Sequence, residues 1–254
     1  MSASKKQNKM ELKEHLTGTQ FELELANALL QFVPKHMQEC LNNPELKYSK
    51  YGTERELKLK EILRYYTNFY TVLNDLELAI QFLNKERKLI LVHYPKLESQ
   101  EAYYNYHYEN YFIRMATFND ILGRLGTLTY SLEIKLEKSS AYIFKDKARQ
   151  EGYDEISTIT ERLINKIDQL KQERHKKLHI GEADIKLLNG IVIWEDLMAR
   201  IGSETDEILQ EQTNNEIEAE IEKLINETIE IVKIIKEFLE SSTKKLKEII
   251  NTNS

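Results

Sequence analysis

Residues 216–240 read EIEAEIEKLINETIEIVKIIKEFLE, and this stretch decides the fold class. Ile217, Ile221, Leu224, Thr228, Ile231, Ile235 and Phe238 recur at alternating steps of four and three. That is the spacing at which side chains of an α-helix fall on one face. A second row, Ile225, Ile229, Val232 and Leu239, lies beside the first and widens the apolar face beyond a two-position coiled-coil seam. The glutamates between the rows form the solvated side. A long final helix starting at Ser203 follows, packed in a bundle, within the chain or against a second copy.

The same period runs through the rest of the chain. A first helix is expected over residues 12–33, carrying Leu16, Leu23, Leu25, Leu29 and Leu30, with Pro34 interrupting or kinking it. A polar turn, CLNNPELKYSKYGT (residues 40–53), leads to Thr53, a helix cap with Glu56 at the capping-box position. Long helices are predicted over 54–93, stopped by Pro95, and over 99–137, which opens in YYNYHYENYF (residues 103–112). Residues 138–153, KSSAYIFKDKARQEGY, read as a connection, and Asp154 as the cap of the next helix. That helix carries Ile156, Ile159, Leu163, Ile167 and Leu170 into QERHKKLH at residues 172–179. A helix over 184–200 carries Trp194 as a core anchor. There is no strand pattern, low-complexity tract or repeat. The expected architecture is all-α: an up-and-down bundle of long helices with an additional N-terminal helix and a long C-terminal one. Residues 1–10 form a short disordered arm and 11–254 a single helical domain.

Composition bounds the function. With 8 glycines and 3 prolines in 254 residues, turn punctuation is sparse and long helices are favoured. A net charge of −6 argues against a general nucleic-acid coat protein, which needs many cations on phosphates, but leaves room for a local basic patch. The lone Cys40 precludes an intramolecular disulfide, and MSASKKQNKM has no apolar core behind its lysines. No apolar run approaches the roughly 20 residues of a membrane span. A cytoplasmic protein with no membrane partner is the expectation.

Residues 171–179 hold four fixed cations, Lys171, Arg174, Lys176 and Lys177, against one carboxylate, Glu173, and add His175 and His179. Arginine forks onto phosphate oxygens and histidine moves protons near neutrality, a pairing suited to phosphodiester cleavage. Arg174 and His179, five apart, stand about 140° from each other around a regular helix. They meet only if the helix breaks, and Gly181 offers a cap just beyond. Two plainer readings stand beside this one. Basic residues complement the dipole of any helix end. His175 and His179 could also ligate a metal, although the pair has no obvious third ligand beyond Glu182.

The form Arg174-His175-x3-His179 resembles the Arg-polar-x3-His motif of the HEPN superfamily (higher eukaryotes and prokaryotes nucleotide-binding domains). The stretch HYENYFIRMATFNDILGRL, residues 107–125, is similar to the helix that precedes the motif in several prokaryotic members. The polar position is often asparagine or aspartate there, and here it is His175. The resemblance spans about residues 54–200. It implies a metal-independent endoribonuclease, without cofactor, whose two motifs form one composite cleft across a homodimer. Arg174 would hold the scissile phosphate, His179 would be general acid or base, and His175 would assist. The products would be a 2′,3′-cyclic phosphate and a 5′-hydroxyl, in the setting of a toxin with its antitoxin or of phage defence. Lys171, Lys176 and Lys177 would bind substrate, and Glu109, Asn110 and Arg114 would support the motif from the preceding helix. The alternative is a non-catalytic HEPN-like module that binds a nucleotide or a partner protein.

The tyrosines of residues 103–112 admit base stacking or core packing, with the hydroxyls finding polar neighbours.

Overall fold

A computed structural model describes residues 12–84, 93, 97–179 and 206–252. The expected arm, the helix over 184–200, Trp194, Gly181 and Glu182 lie outside the described residues, as do the side chains of residues 174–179. The described elements are three short 3-10 turns, Leu12–His15, Tyr48–Lys50 and Leu136–Lys138, and the helices α1 (Gln20–Leu30), α2 (Val33–Asn42), α3 (Glu54–Leu83), α4 (Leu97–Thr129), α5 (Ala141–Gln150), α6 (Asp154–His179) and α7 (Asp206–Asn251). No strand occurs among them. No helix among the described residues is long and apolar enough to cross a membrane.

Four helices build the bundle. Phe69 meets Phe118, Asp75 pairs with Arg114 and Phe82 stacks on His107, so α3 and α4 are antiparallel. Arg162 pairs with Glu237, Lys166 with Glu230 and Glu173 with Lys223, so α6 and α7 are antiparallel too. Tyr111 reaches Leu224 and Tyr130 reaches Ser242, which sets α4 parallel to α7. The order α3 up, α4 down, α6 up, α7 down is the up-and-down bundle that the periodicity implies. Both apolar rows of α7 turn inward. Ile221, Leu224, Ile231, Val232, Ile235, Phe238 and Leu239 are buried, and Ile225 and Ile229 pack half-buried against them. The partner of the final helix is therefore the chain's own core.

The first expected helix is divided. Thr19 caps α1 by accepting the Glu22 N–H, after Gly18 at φ 77°. Pro34 then stands in the first turn of α2, where its missing N–H costs nothing, so it starts a helix rather than kinking one. Thr53 and Glu56 form the expected capping box. The third helix ends at Leu83: the apolar face gives way to NKERK, and the Asn84 N–H closes on the Ile80 carbonyl. The fourth ends at Thr129 rather than near residue 137. Ser131 adopts φ 53°, and the Leu132 N–H returns to the Thr127 carbonyl in a Schellman closure.

The stretch expected as a connection contains α5. It lies so close to α4 that a Cβ on Gly123 would sit 2.1 Å from the Ser140 carbonyl carbon, and one on Gly126 would sit 2.6 Å from the Phe144 ring. Two glycines three apart thus make the groove that admits a short, mostly polar helix. The buried Thr127 and Ser139 hydroxyls, 2.7 Å apart, close the crossing. This contact sets Tyr142, at the start of α5, against the last turns of α6.

Candidate functional site at the end of the sixth helix

The backbone of α6 is helical from Asp154 through His179. Positions 174 and 179 therefore share one regular helix, about 140° apart around its axis, and any break falls beyond His179. Positions 175 and 179 fall on one face. The expectation that a break brings Arg174 and His179 together within one chain has no support from this backbone path. Arg174, His175, Lys176, Lys177 and His179 all stand on the final turns of the helix.

Described side chains brace this end from two sides. On the α5 side, the Tyr142 hydroxyl donates to Asp168 Oδ1 at 2.6 Å, and Lys171 Nζ lies 3.4 Å from the same oxygen. Burial, then the bond to Asp168, push the Tyr142 phenol up to about 12, so it remains a donor across the physiological range. Lys171, expected to bind substrate, is thus engaged by Asp168 while staying half-exposed.

On the α7 side, Lys223 Nζ donates to Glu173 Oε2 at 2.7 Å, and the other oxygen of Glu173 accepts from Gln169 Nε2 at 3.3 Å. Lys223 also lies 3.9 Å from Glu227 Oε1. The Glu227 carboxyl is raised above the ordinary carboxylate range, first by burial, which the nearby Lys223 only partly offsets. Burial lowers the Lys223 ammonium, but the bond to Glu173 and the adjacent carboxylates outweigh it and the net shift is upward.

The aromatic stretch of α4 anchors α7 at this level. Tyr111 is fully buried, and its hydroxyl donates to the Leu224 carbonyl at 3.0 Å while lying 3.1 Å from Thr228 Oγ1. The Tyr108 hydroxyl donates to Glu220 Oε1 at 2.7 Å, and burial, then the Glu220 charge, hold that phenol well above its ordinary range. Tyr103 donates to the Phe82 carbonyl, and Tyr106 alone among these stays largely exposed. Tyr103, Tyr108 and Tyr111 thus satisfy their hydroxyls against neighbouring helices, the core-packing reading of this stretch, while the Tyr104 side chain lies outside the described ones.

Of the three residues expected to support the motif from α4, positions 110 and 114 share a face and 109 stands apart from them. Arg114 pairs at 3.2 Å with Asp75 of α3, so its described partner stands on α3 rather than α6. Glu109 and Asn110 are half-buried and lie between Tyr108 and Tyr111. Sequence reasoning missed Lys223, Glu227 and Tyr142. The first two lie some fifty residues from the motif, and only their place on the polar border of the α7 stripe hints that they face α6. Among the described residues no group of three or more His, Cys, Asp or Glu is arranged to hold a metal ion.

An all-α bundle whose sixth helix ends in Arg174-His175-x3-His179 invites comparison with known families. The model of the HEPN_Cthe2314-like HEPN family matches residues 65–250. The chain belongs to this family. The match begins inside α3 and continues past residue 200 to the last turn of α7, so the long final helix of this HEPN chain belongs to the family's own core. Comparison with curated proteins and with solved structures gave no match. Family membership supports a nucleotide-related or ribonuclease-like module, and the chemistry of the helix end carries the finer reading.

Proposed function

We propose that this HEPN chain is a metal-independent endoribonuclease acting as a homodimer, in toxin–antitoxin or phage-defence biology. The observation that carries the reading is Arg174-His175-x3-His179 at the end of α6 in a chain of HEPN family. Arg174 and His179 stand on different faces of one continuous helix, so a site that uses both is more simply assembled across a two-fold axis than within one protomer. In that arrangement Arg174 neutralises the scissile phosphate. One imidazole takes the proton of the 2′-hydroxyl as its oxygen attacks phosphorus. The P–O5′ bond breaks as a proton is delivered to the leaving oxygen. Each Arg174 works with His179 of the partner subunit, so the dimer holds two such pairs; His179 moves one of the two protons, as base or acid, and His175 assists with the other. Lys171, Lys176 and Lys177 attract the RNA backbone.

The test is incubation of the purified protein with single-stranded RNA in EDTA, beside Arg174→Ala and His179→Ala. Cleavage by wild type only, leaving 2′,3′-cyclic phosphate and 5′-hydroxyl ends, is expected. Equal cleavage by all three, or none by any, removes the enzymatic reading. Dimerisation with nucleotide or protein binding but no cleavage establishes the non-catalytic module, which the net charge of −6 favours.

A further inference from the structure

The α6–α7 interface is a ladder of ion pairs with a consistent polarity until its last described rung. At Arg162–Glu237 and Lys166–Glu230 the cation is on α6 and the carboxylate on α7. At Glu173–Lys223 the polarity reverses. Glu173 is the one carboxylate among residues 171–179 and directly precedes Arg174. On a helix, a glutamate at position 173 is also well placed to pair with a lysine at 177, four residues on. Left uncompensated, its charge would compete with phosphate for the cations beside it.

Lys223 reaches Glu173 because α7 is held at this level by Tyr111, through the Leu224 carbonyl, and by Tyr108, through Glu220. Its other neighbour, Glu227, stands 3.9 Å away against 2.7 Å for Glu173, which makes Glu173 the closer counter-charge. We infer that Lys223 is a positioning residue for RNA: it holds Glu173 toward α7 and shares in neutralising it, which leaves the cations at the end of α6 more available to the phosphate backbone. The aromatic run of α4 acts in the same device by fixing the height of Lys223 on α7. This rests on the ribonuclease site proposed above.

The test is the affinity of the full chain for a fluorescein-labelled single-stranded 2′-O-methyl RNA, which has no 2′-hydroxyl to attack phosphorus and so is not cut, read by anisotropy for wild type, Lys223→Met, Glu173→Gln, the double variant and Arg162→Met. Lys223→Met should raise Kd about three- to five-fold, the range of a partly exposed ion pair. Adding Glu173→Gln should restore binding to within about a factor of two, because the carboxylate charge that Lys223 offsets is then gone. Arg162→Met, which removes a rung of the same ladder far from the motif, should bind as wild type. A Lys223→Met defect that Glu173→Gln fails to rescue means that Lys223 touches RNA itself and overturns the inference, as does unchanged binding by Lys223→Met. Wild type that binds no RNA overturns the site reading together with this one. Wild type that binds RNA, with Lys223→Met unchanged, overturns this inference alone.

Discussion

Gly123→Ala makes the sharpest stability test, because two large effects oppose each other there. Inside an exposed helix the change would stabilise by about 1 kcal/mol, since glycine carries the larger entropic cost. Here the new methyl carbon would lie 2.1 Å from the Ser140 carbonyl carbon and 2.5 Å from both Ser140 Cα and Ala141 N. Carbon atoms in contact prefer about 3.5–4.0 Å, so the start of α5 must retreat by roughly 1.5 Å. These are backbone atoms that no rotamer change can clear. The retreat loosens Ala141 and Phe144, both fully buried, and strains the 2.7 Å contact between Thr127 and Ser139. Overpacking of this kind costs about 1–3 kcal/mol, and a strained buried hydrogen bond adds about 1 kcal/mol. Against the helix gain, a net loss of about 1–3 kcal/mol remains, or roughly 2–12 °C in Tm for a chain of this length. Urea denaturation followed by circular dichroism reads it directly. A Gly123→Ala variant more stable than wild type would refute the close crossing of α4 and α5, and with it the placement of Tyr142 beside Asp168.

Further outcomes follow from single contacts. Tyr111→Phe removes the bond to the Leu224 carbonyl, which Thr228 Oγ1 also reaches at 2.8 Å, so a loss of about 1–1.5 kcal/mol in urea denaturation is expected. Thr53→Ala breaks the capping box of α3 and should cost about 1 kcal/mol in the same assay, while Thr53→Ser should cost little. Glu227 has a folded-state pKa above the ordinary 4.5, so the folded chain binds its proton more tightly than the unfolded chain does. Its contribution to stability is therefore fully present below 4.5 and declines as pH rises through the folded value. Glu227→Gln should gain stability relative to wild type from pH 4.5 upward and lose that advantage in acid; thermal melts at pH 4 and pH 7.5 check the sign.

Long, apolar-striped helices were legible because burial acts on period alone. The α7 rows from Ile221 to Leu239 and the α6 row from Ile156 to Leu170 are buried as their spacing implies. The capping box at Thr53 was legible for a similar reason, since it is written within four residues. What escaped was set by contacts distant in sequence. Helix α5 is short and polar, and its place depends on Gly123 and Gly126 of another helix. The end of α4 rests on Ser131 in a left-handed conformation that serine rarely takes, with no glycine to announce it. At the site, the cations of residues 171–179 could be read directly. Their environment could not, because Lys223 reaches Glu173 across fifty residues and Tyr142 reaches Asp168 across twenty-six.

The central claim is a composite ribonuclease site, and mixing two disabled variants tests it most directly. Arg174→Ala and His179→Ala are each expected to be inactive on RNA in EDTA. Unfolded together and refolded at equal concentration, half of the dimers are mixed, and each mixed dimer regains one intact Arg174 facing His179 of the partner subunit. About a quarter of wild-type activity should return. Active single variants, or a mixture as inactive as its components beside an active wild type, would contradict a site shared between two copies of the chain.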